Sequence, residues 1–216
     1  MPDPSPVRLH NVVATFFMGG PIDLRQLVRR MPHIEFNSRK FAAASFRMLM
    51  PHGRATALVF SSGNMVVTGS ATEDAALLAA RRFSALIQAQ LPDRFMHRFA
   101  VQNLVGAADL RAAVDLAGMV RDHESTCNYE PELFPGLVMR RYDVVFLVFR
   151  SGKVVLTGAR QMSAMRAAYA SACEEVFRHY RREGEDTNSS HYHAQLTSTA
   201  HTSAEAQECA MQLGAL

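Results

Sequence analysis

The chain repeats itself once, at a spacing of about 90 residues. Residues 60–69, FSSGNMVVTG, return 89 positions later as residues 149–158, FRSGKVVLTG. Asn11 returns as Asn103, 92 positions later. A solenoid unit usually repeats every ~20 to 50 residues, so this longer spacing fits a small half-domain. The repetition therefore predicts two similar halves related by a pseudo-two-fold axis.

Charge is distributed unevenly along the 216 residues. Residues 1–97 carry a net charge of +5, residues 98–182 carry +3, and residues 183–216 carry −5. Nearly all of the positive charge is arginine, whose planar fork of donors suits phosphate. Arginines that merely solvate an ordinary surface are the alternative, and composition alone does not separate the two.

No apolar run approaches the ~18 residues of a membrane span, and the first ten residues lack the apolar stretch of a signal peptide. We therefore expect an intracellular protein with no membrane association. Cys127, Cys173 and Cys209 are widely spaced and form no paired motif for zinc, so reduced thiols are expected. The polar tail contains His191, His193 and His201, for which solvation is favoured over metal binding.

Both halves show the same order of secondary-structure signals. The first half predicts strands at 9–18, 41–50, 56–60 and 65–68, a helix at 23–30, and a second helix that begins with the capping box Ser70 to Glu73 and buries Ala79, Phe83, Leu86 and Ile87. The second half predicts strands at 101–106, 142–149 and 154–157 and helices at 114–120 and 162–182. This order predicts an α+β fold with helices on one side of an antiparallel sheet.

The predicted strands are apolar on both faces. Leu58 and Phe60 point to one side of their strand, and Ala57 and Val59 point to the other. Helices can cover only one face, and an exposed apolar face of this size usually has a partner. A second sheet layer, a dimer or the tail is one explanation for the other face.

Polar residues at equivalent positions of the two halves favour DNA instead. They form the pairs Asn11 and Asn103, Thr68 and Thr157, Arg47 and Arg140, and Ser62 and Ser151. An apolar surface with a few amides and hydroxyls at its middle suits the floor of a minor groove, which offers acceptors between sugar walls.

Four segments closely resemble the conserved core of the TATA-box-binding protein (TBP) family: FSSGNMVVTG at 60–69, VQNLVG at 101–106, NYEPELFPGL at 128–137 and SGKVVLTG at 151–158. The resemblance implies the TBP saddle, an α+β fold in which two pseudo-symmetric repeats form a curved ten-stranded antiparallel sheet with four helices on the convex face. It divides the chain into a short extension at 1–6, repeat 1 at 7–97, repeat 2 at 98–182 and a polar acidic tail at 183–216, whose composition predicts disorder.

The resemblance also implies three sets of DNA contacts. The DNA-kinking residues match Phe41, Phe60, Phe134 and Phe149. The minor-groove contacts match Asn11, Val13, Leu58, Val66, Thr68, Asn103, Val105, Leu133, Val145, Leu147, Val155 and Thr157. The phosphate and sugar contacts match Arg47, Ser62, Arg140, Ser151 and Lys153, which position the duplex without specifying its sequence.

By this resemblance the chain is a general transcription initiation factor that binds and bends promoter DNA through the minor groove. The family's TFIIB-binding positions match Glu130, Glu132 and Leu133, while Arg81 and Arg82 match a basic helix where regulators dock. The expected partners are AT-rich promoter DNA, TFIIB, TFIIA, other pre-initiation complex subunits and RNA polymerase. We expect a nuclear protein, monomeric on DNA, with no catalytic residue, cofactor or metal.

The chain also departs from the family pattern. His10 replaces the usual Gln, and Asn64 replaces the usual Lys. The loop between Arg47 and Phe60 is two residues longer than is usual for the family, and its counterpart in the second half is two residues shorter, so the chain resembles a divergent eukaryotic TBP or TBP-related factor. One alternative is a TBP-like adaptor that other subunits bring to promoters and that has little intrinsic TATA binding. A more distant alternative is an enzyme-associated domain that shares the duplicated fold, as in some DNA repair glycosylases.

Overall fold

The computed structural model describes residues 2–51 and 53–182 of the chain. These residues form two compact units. The first unit contains residues 11–51 and 53–102, and the second contains residues 2–10 and 103–182. The tail predicted at 183–216, with its histidines and Cys209, lies outside the described residues.

The first unit consists of a five-stranded antiparallel sheet covered on one side by a long helix. Its elements are β1 (Arg8–Phe17), α1 (Leu24–Arg30), β2 (Ile34–Glu35), β3 (Ala43–Met50), β4 (Gly53–Phe60), β5 (Asn64–Ser70) and α2 (Glu73–Gln88). The strand order is β2-β3-β4-β5-β1. Ala79, Phe83 and Ile87 of α2 are fully buried against the sheet, and the Phe83 ring lies 5.0 Å from the ring of Phe46. We call this packed layer the helix-side core.

The second unit repeats this plan with strand order β6-β11-β10-β9-β8. Its elements are β6 (His97–Asp109), of which residues 97–102 belong to the first unit, β7 (Ala113–Val114), α3 (Leu116–Asp122), β8 (Cys127–Asn128), β9 (Leu137–Arg141), β10 (Val144–Val148), β11 (Lys153–Thr157), α4 (Met162–Ala172), α5 (Arg178–Tyr180) and β12 (Arg181–Arg182). A π-helical turn at Cys173–Phe177 joins α4 to α5. Phe146 and Phe177 pack edge to face, 5.9 Å apart, in the helix-side core of this unit.

The α+β class is confirmed: ten antiparallel strands belong to the main sheet, and four main helices, α1 to α4, accompany them. None of the helices among the described residues combines the length and apolar character that a membrane crossing requires.

The first-unit predictions need three corrections. The N-cap of α2 is Thr72, whose hydroxyl accepts the Ala75 N–H, because Ser70 pairs with Val12 in the sheet and cannot begin a helix. Leu86, predicted to be buried, is 40% exposed. The longer hairpin of this half is built by lengthening the strands rather than the loop, since β4 begins at Gly53.

The second-unit helices differ from their predicted bounds: the first is shifted by two residues, and the second is interrupted and ends earlier. Val114 lies in a strand and not in a helix, because Asp115 is the N-cap of α3 and its carboxylate accepts the Gly118 N–H at 3.0 Å. The last helical turn ends at Tyr180, and Arg181–Arg182 pairs with β7 in a separate two-stranded sheet.

The strand predicted to begin at Tyr142 begins at Val144 instead. Tyr142 and Asp143 both have positive φ values, 56° and 57°, and they form a two-residue turn. This geometry matches the twist of the strands that it connects.

Candidate nucleic-acid interface

Each unit has a second, apolar sheet face opposite its helix-side core, which we call its open face. Along β10, Val144, Phe146 and Val148 are buried, while Val145 and Leu147 between them are only half-buried. This alternation shows that the strand has an apolar side that no helix covers.

The open face of the first unit has its own small apolar cluster, separate from the helix-side core. The cluster contains Ala43, Leu58 and Val66, with Val13 and Phe60 packed against it. Four of these five residues were predicted to contact DNA. The structure therefore brings together side chains from β1, β3, β4 and β5 on the face that sequence analysis assigned to a ligand.

Strand register aligns the remaining predicted contacts in matching rows. The first-unit row across β3, β4 and β5 is Arg47, Thr56 and Thr68. The second-unit row across β9, β10 and β11 is Arg140, Val145 and Thr157. A second row in each unit contains Ser45, Leu58 and Val66, or Val138, Leu147 and Val155. In both units the first of these rows therefore begins with an arginine and ends with a threonine hydroxyl.

An asparagine amide is fixed at the open face of the first unit. Asn11 Nδ2 donates to Thr68 Oγ1 at 3.0 Å, and Asn11 Oδ1 accepts the Gly69 N–H at 2.8 Å. A backbone N–H can only donate, so it identifies the amide oxygen and fixes the nitrogen on the other side. The second Nδ2 N–H has no hydrogen bond within the described residues, and it is available to a ligand.

The second unit repeats this arrangement. Asn103 Nδ2 donates to Thr157 Oγ1 at 2.9 Å, and Asn103 Oδ1 accepts the Gly158 N–H at 2.8 Å. Gly158 and its first-unit equivalent Gly69 have φ values of 100° and 95°, a conformation that favours glycine and aims both N–H groups at the amides. Asn11 and Asn103 are 7% and 5% exposed, so their orientations are set by protein contacts rather than by solvent.

The four predicted wedge residues form two edge-to-face pairs, one in each unit. The rings of Phe41 and Phe60 are 6.3 Å apart, and those of Phe134 and Phe149 are 5.8 Å apart. Phe41 and Phe134 are 40% and 38% exposed, which is unusual for phenylalanine and leaves their edges free for contact.

Gly136 allows the closer packing of the second pair. A Cβ atom at this position would lie 2.6 Å from Phe134 Cε1 and 3.0 Å from Phe149 Cε1. The equivalent residue of the first unit, 93 positions earlier, is Ala43, and there the rings are farther apart. The sequence repeat aligns the two positions, but only the structure reveals this contact.

The predicted phosphate contacts differ in their electrostatic surroundings. Lys153 Nζ lies 2.6 Å from Asp109 Oδ2, so its charge is neutralised within the protein. Arg47 forms a longer, exposed ion pair of 3.6 Å with Glu35. Such a pair contributes little to stability, so Arg47 can exchange the carboxylate for a phosphate. Ser62 Oγ accepts the Asn64 N–H in the β4–β5 turn. Ser151 is half-buried, and Arg140 is exposed on β9.

The predicted TFIIB-binding residues lie on a turn with a counterpart in the first unit. Glu130 O accepts the N–H groups of Leu133 and Phe134 at 3.0 and 2.9 Å. Asn37 O accepts those of Lys40 and Phe41 at 2.9 and 3.0 Å. The backbone is therefore the same in both turns, whereas the side chains differ: Leu133, 81% exposed, replaces a lysine.

Sequence analysis missed several residues of the open faces. Ser45 and Val138 lie in the cross-strand rows, and period-two alternation from Arg47 and Arg140 on the same strands would have identified them. Among the described residues, no group of three or more His, Cys, Asp and Glu side chains is arranged to hold a metal ion.

The two described cysteines are free thiols. Burial raises the pKa of Cys127 and that of Cys173, because the thiolate would lose hydration. Cys127 pairs in register with the fully buried Met139 of β9, and Cys173 begins the π-helical turn after α4, so neither belongs to an open face.

The chain matches the family described as transcription factor TFIID, or TATA-binding protein (TBP), over residues 6–90 and 98–179. It is 42% identical to TATA box-binding protein-like 2 of Homo sapiens over 165 residues, which cover 75% of this chain and 47% of that protein. It is 41% identical to the TATA-box-binding protein of Xenopus tropicalis over 173 residues, which cover 79% of this chain and 56% of that protein. The chain thus spans about half the length of these curated relatives.

Its fold is similar to the solved structure of Methanococcus jannaschii TBP, with a TM-score of 0.67 and 29% sequence identity. The similarity covers 80% of this chain and 97% of that chain. The family match, the relatives and the shared fold agree with one another, and the chain belongs to the TATA-binding protein family.

Proposed function

We propose that the chain is a general transcription initiation factor that binds promoter DNA in the minor groove and bends it. Membership of the TBP family supports a DNA-binding, transcription-related role without enzymatic activity. The observation that carries the finer proposal is that each unit repeats an oriented asparagine amide on an apolar sheet face and a phenylalanine pair with one exposed ring.

The amides supply the hydrogen bonds that a minor groove requires. An A·T pair presents only the acceptors A N3 and T O2 there, while a G·C pair adds a donor. The free N–H groups of Asn11 and Asn103 can donate to the acceptors of an A·T pair. Opposite a G·C pair they would face the amino donor of guanine. The surrounding valines and leucines contact sugars and base edges without hydrogen bonds. We therefore expect a preference for AT-rich duplexes.

The phenylalanine pairs account for bending. Apolar wedges in a minor groove partly unstack a base step at a cost of a few kcal/mol, and the bent duplex repays it through additional contact. One pair in each unit gives two kinks. Arg47 and Arg140 occupy matching row ends, where they contact phosphates and fix the position of the duplex.

The difference between the two turns gives the complex a direction. Glu130, Glu132 and Leu133 offer an acidic and apolar surface to a TFIIB-type factor, while Arg39 and Lys40 make the corresponding turn of the first unit basic. TFIIA and other pre-initiation subunits are further partners, and RNA polymerase is recruited through them. In this proposal the protein acts in the nucleus as a monomer on DNA.

Equilibrium binding to an AT-rich duplex and to a GC-rich duplex of equal length tests the proposal. We expect tighter binding to the AT-rich duplex and competition by a small minor-groove ligand. Replacing both Asn11 and Asn103 by Ala is expected to remove most of the preference, while Gln88→Ala, which removes an amide from α2 on the helix side of the sheet, serves as the control. Failure to bind either duplex, or binding that a minor-groove ligand does not affect, would contradict the proposal.

A further inference from the structure

The two units differ in charge at one equivalent position of their hairpins. Lys153 begins β11 and pairs in register with Asp109 of β6. Its counterpart in the first unit, Asn64, begins β5 and pairs in register with Phe17 of β1. The first unit therefore lacks both the lysine and its carboxylate partner at this position.

Phe17 lies on the open face of the first unit. Its strand neighbours Ala14 and Phe16 belong to the helix-side core, so alternation places Phe17 on the opposite side with Val13. Phe17 is half-buried, and its ring is available for stacking. With Gly19, His97 and Arg98, it lines an open cleft at the end of this face.

Arg98 covers this ring. Its guanidinium carbon lies 5.8 Å from the Phe17 ring centroid, a cation–π distance. Arg98 has a φ of 54° within β6, an uncommon conformation for a residue other than glycine. Met96 and Phe99 on either side of it pack against the helix-side core, whereas Arg98 is exposed next to Phe17.

The charge of Arg98 is not neutralised within the described residues. No carboxylate there lies within ion-pair distance of Arg98, in contrast to Lys153 with Asp109. A cation–π contact with an aromatic ring restrains a guanidinium and leaves its N–H donors available to a ligand. A flat, held cation beside an apolar DNA-binding face is suited to a phosphate oxygen.

We propose that Arg98, held in place by Phe17, is a DNA phosphate-binding residue that supplies to the first unit the positive charge missing at Asn64. This inference rests on the proposed DNA binding and adds a contact to it. Because Lys153 is paired with Asp109 and Arg98 is not, the backbone contact at this position is stronger in the first unit than in the second.

A salt series with an AT-rich duplex tests the inference. Each phosphate contact contributes about 0.9 to the slope of log K against log salt concentration, so Arg98→Gln should lower the slope by about 0.9 and weaken binding about eightfold at ~0.1 M salt. Arg98→Lys should retain the slope. Phe17→Leu should also retain the slope but weaken binding about two- to fivefold, because it removes the stacking surface.

The control is Arg25→Gln, which removes an exposed arginine of α1 in the same unit, on the helix side of the sheet. It should leave both slope and affinity unchanged, and thermal unfolding should show that all variants fold. If the wild-type protein binds the duplex and Arg98→Gln behaves like Arg25→Gln, the inference is wrong while the proposed function stands. If the wild-type protein binds no AT-rich duplex, both are wrong.

Discussion

Asn103 Nδ2 lies 2.9 Å from Thr157 Oγ1, and the equivalent atoms of Asn11 and Thr68 in the first unit lie 3.0 Å apart. Two segments separated by about 90 residues have thus kept one polar contact at the same place on an apolar face. The hydroxyl orients the amide, and the amide in turn offers one free N–H to a ligand.

Removing the Thr157 hydroxyl is expected to weaken DNA binding without unfolding the protein. Thr157→Val preserves the shape of the side chain but loses the hydrogen bond that orients Asn103. We expect a loss of about 1 kcal/mol in binding free energy, or about fivefold in Kd, measured by fluorescence anisotropy. Thr157→Ser retains the hydroxyl and is the matched control. Equal affinities for the two variants would show that the hydroxyl has no orienting role.

Gly136→Ala is expected to reduce DNA bending. The added Cβ would lie 2.6 Å from Phe134 Cε1, so it would displace this ring and widen the 5.8 Å separation of the second pair. Bending can be measured by energy transfer between dyes at the two ends of a duplex. The reverse change in the first unit, Ala43→Gly, should not reduce bending. A Gly136→Ala protein that bends DNA as well as wild type would contradict this role for the glycine.

Leu133→Ala is expected to weaken a ternary complex with a TFIIB-type factor while the protein still folds normally. Leu133 is 81% exposed, so its truncation leaves no cavity, and surface changes of this kind usually alter stability by less than about 0.5 kcal/mol. Because the resemblance also assigns Leu133 a groove contact, binary DNA affinity must be measured in parallel. The turn equivalent Lys40→Ala is the control. If Leu133→Ala weakens binding to DNA alone as much as it weakens the ternary complex, Leu133 contacts DNA and not the TFIIB-type factor.

Asp115 should make the free energy of unfolding depend on pH in the acidic range. The Gly118 N–H, and then the guanidinium of Arg182, lower the pKa of Asp115 below its ordinary value. A depressed carboxyl pKa stabilises the fold at pH values above the unfolded-state value of about 3.9, and this stabilisation is lost as the pH falls through the folded-state pKa. Asp115→Ala should therefore cost about 1 kcal/mol at neutral pH.

Urea unfolding measured at neutral pH and near pH 3 checks this linkage. The free energies of unfolding of wild type and Asp115→Ala should differ less at the lower pH, because protonation of the wild-type carboxylate removes its stabilising charge. Asp115→Asn retains an acceptor for the helix N-terminus and should lose less stability. A difference that is independent of pH would indicate that the charge of Asp115 does not contribute.

The sequence predicted the fold because the strands and the main helices have strong local signals. Its errors occur where tertiary contacts override these signals. Ser70 has the chemistry of an N-cap but is held in β5 by Val12, so Thr72 caps the helix. Val114 continues a helical pattern but pairs with Arg181, which follows far along the chain.

The pairing of charges within the candidate site was not predictable in the same way. The repeat aligned Lys153 with Asn64, but it could not show that Asp109 neutralises the lysine. Nor could it show that Arg98 lies over Phe17, since this contact depends on strand register and on one positive φ value. Site residues that repeat in the sequence were therefore predictable, and those that break the repeat required the structure.

DNA bending by the protein alone tests the central claim most directly. Energy transfer across an AT-rich duplex should rise when the wild-type protein binds, and Phe134→Ala combined with Phe149→Ala should abolish most of that rise. Phe134 is partly exposed, so this double variant should lose less stability than Phe146→Ala, which truncates a fully buried ring at a cost of about 3–5 kcal/mol. If the wild-type protein binds the duplex and leaves its end-to-end distance unchanged, the account is contradicted.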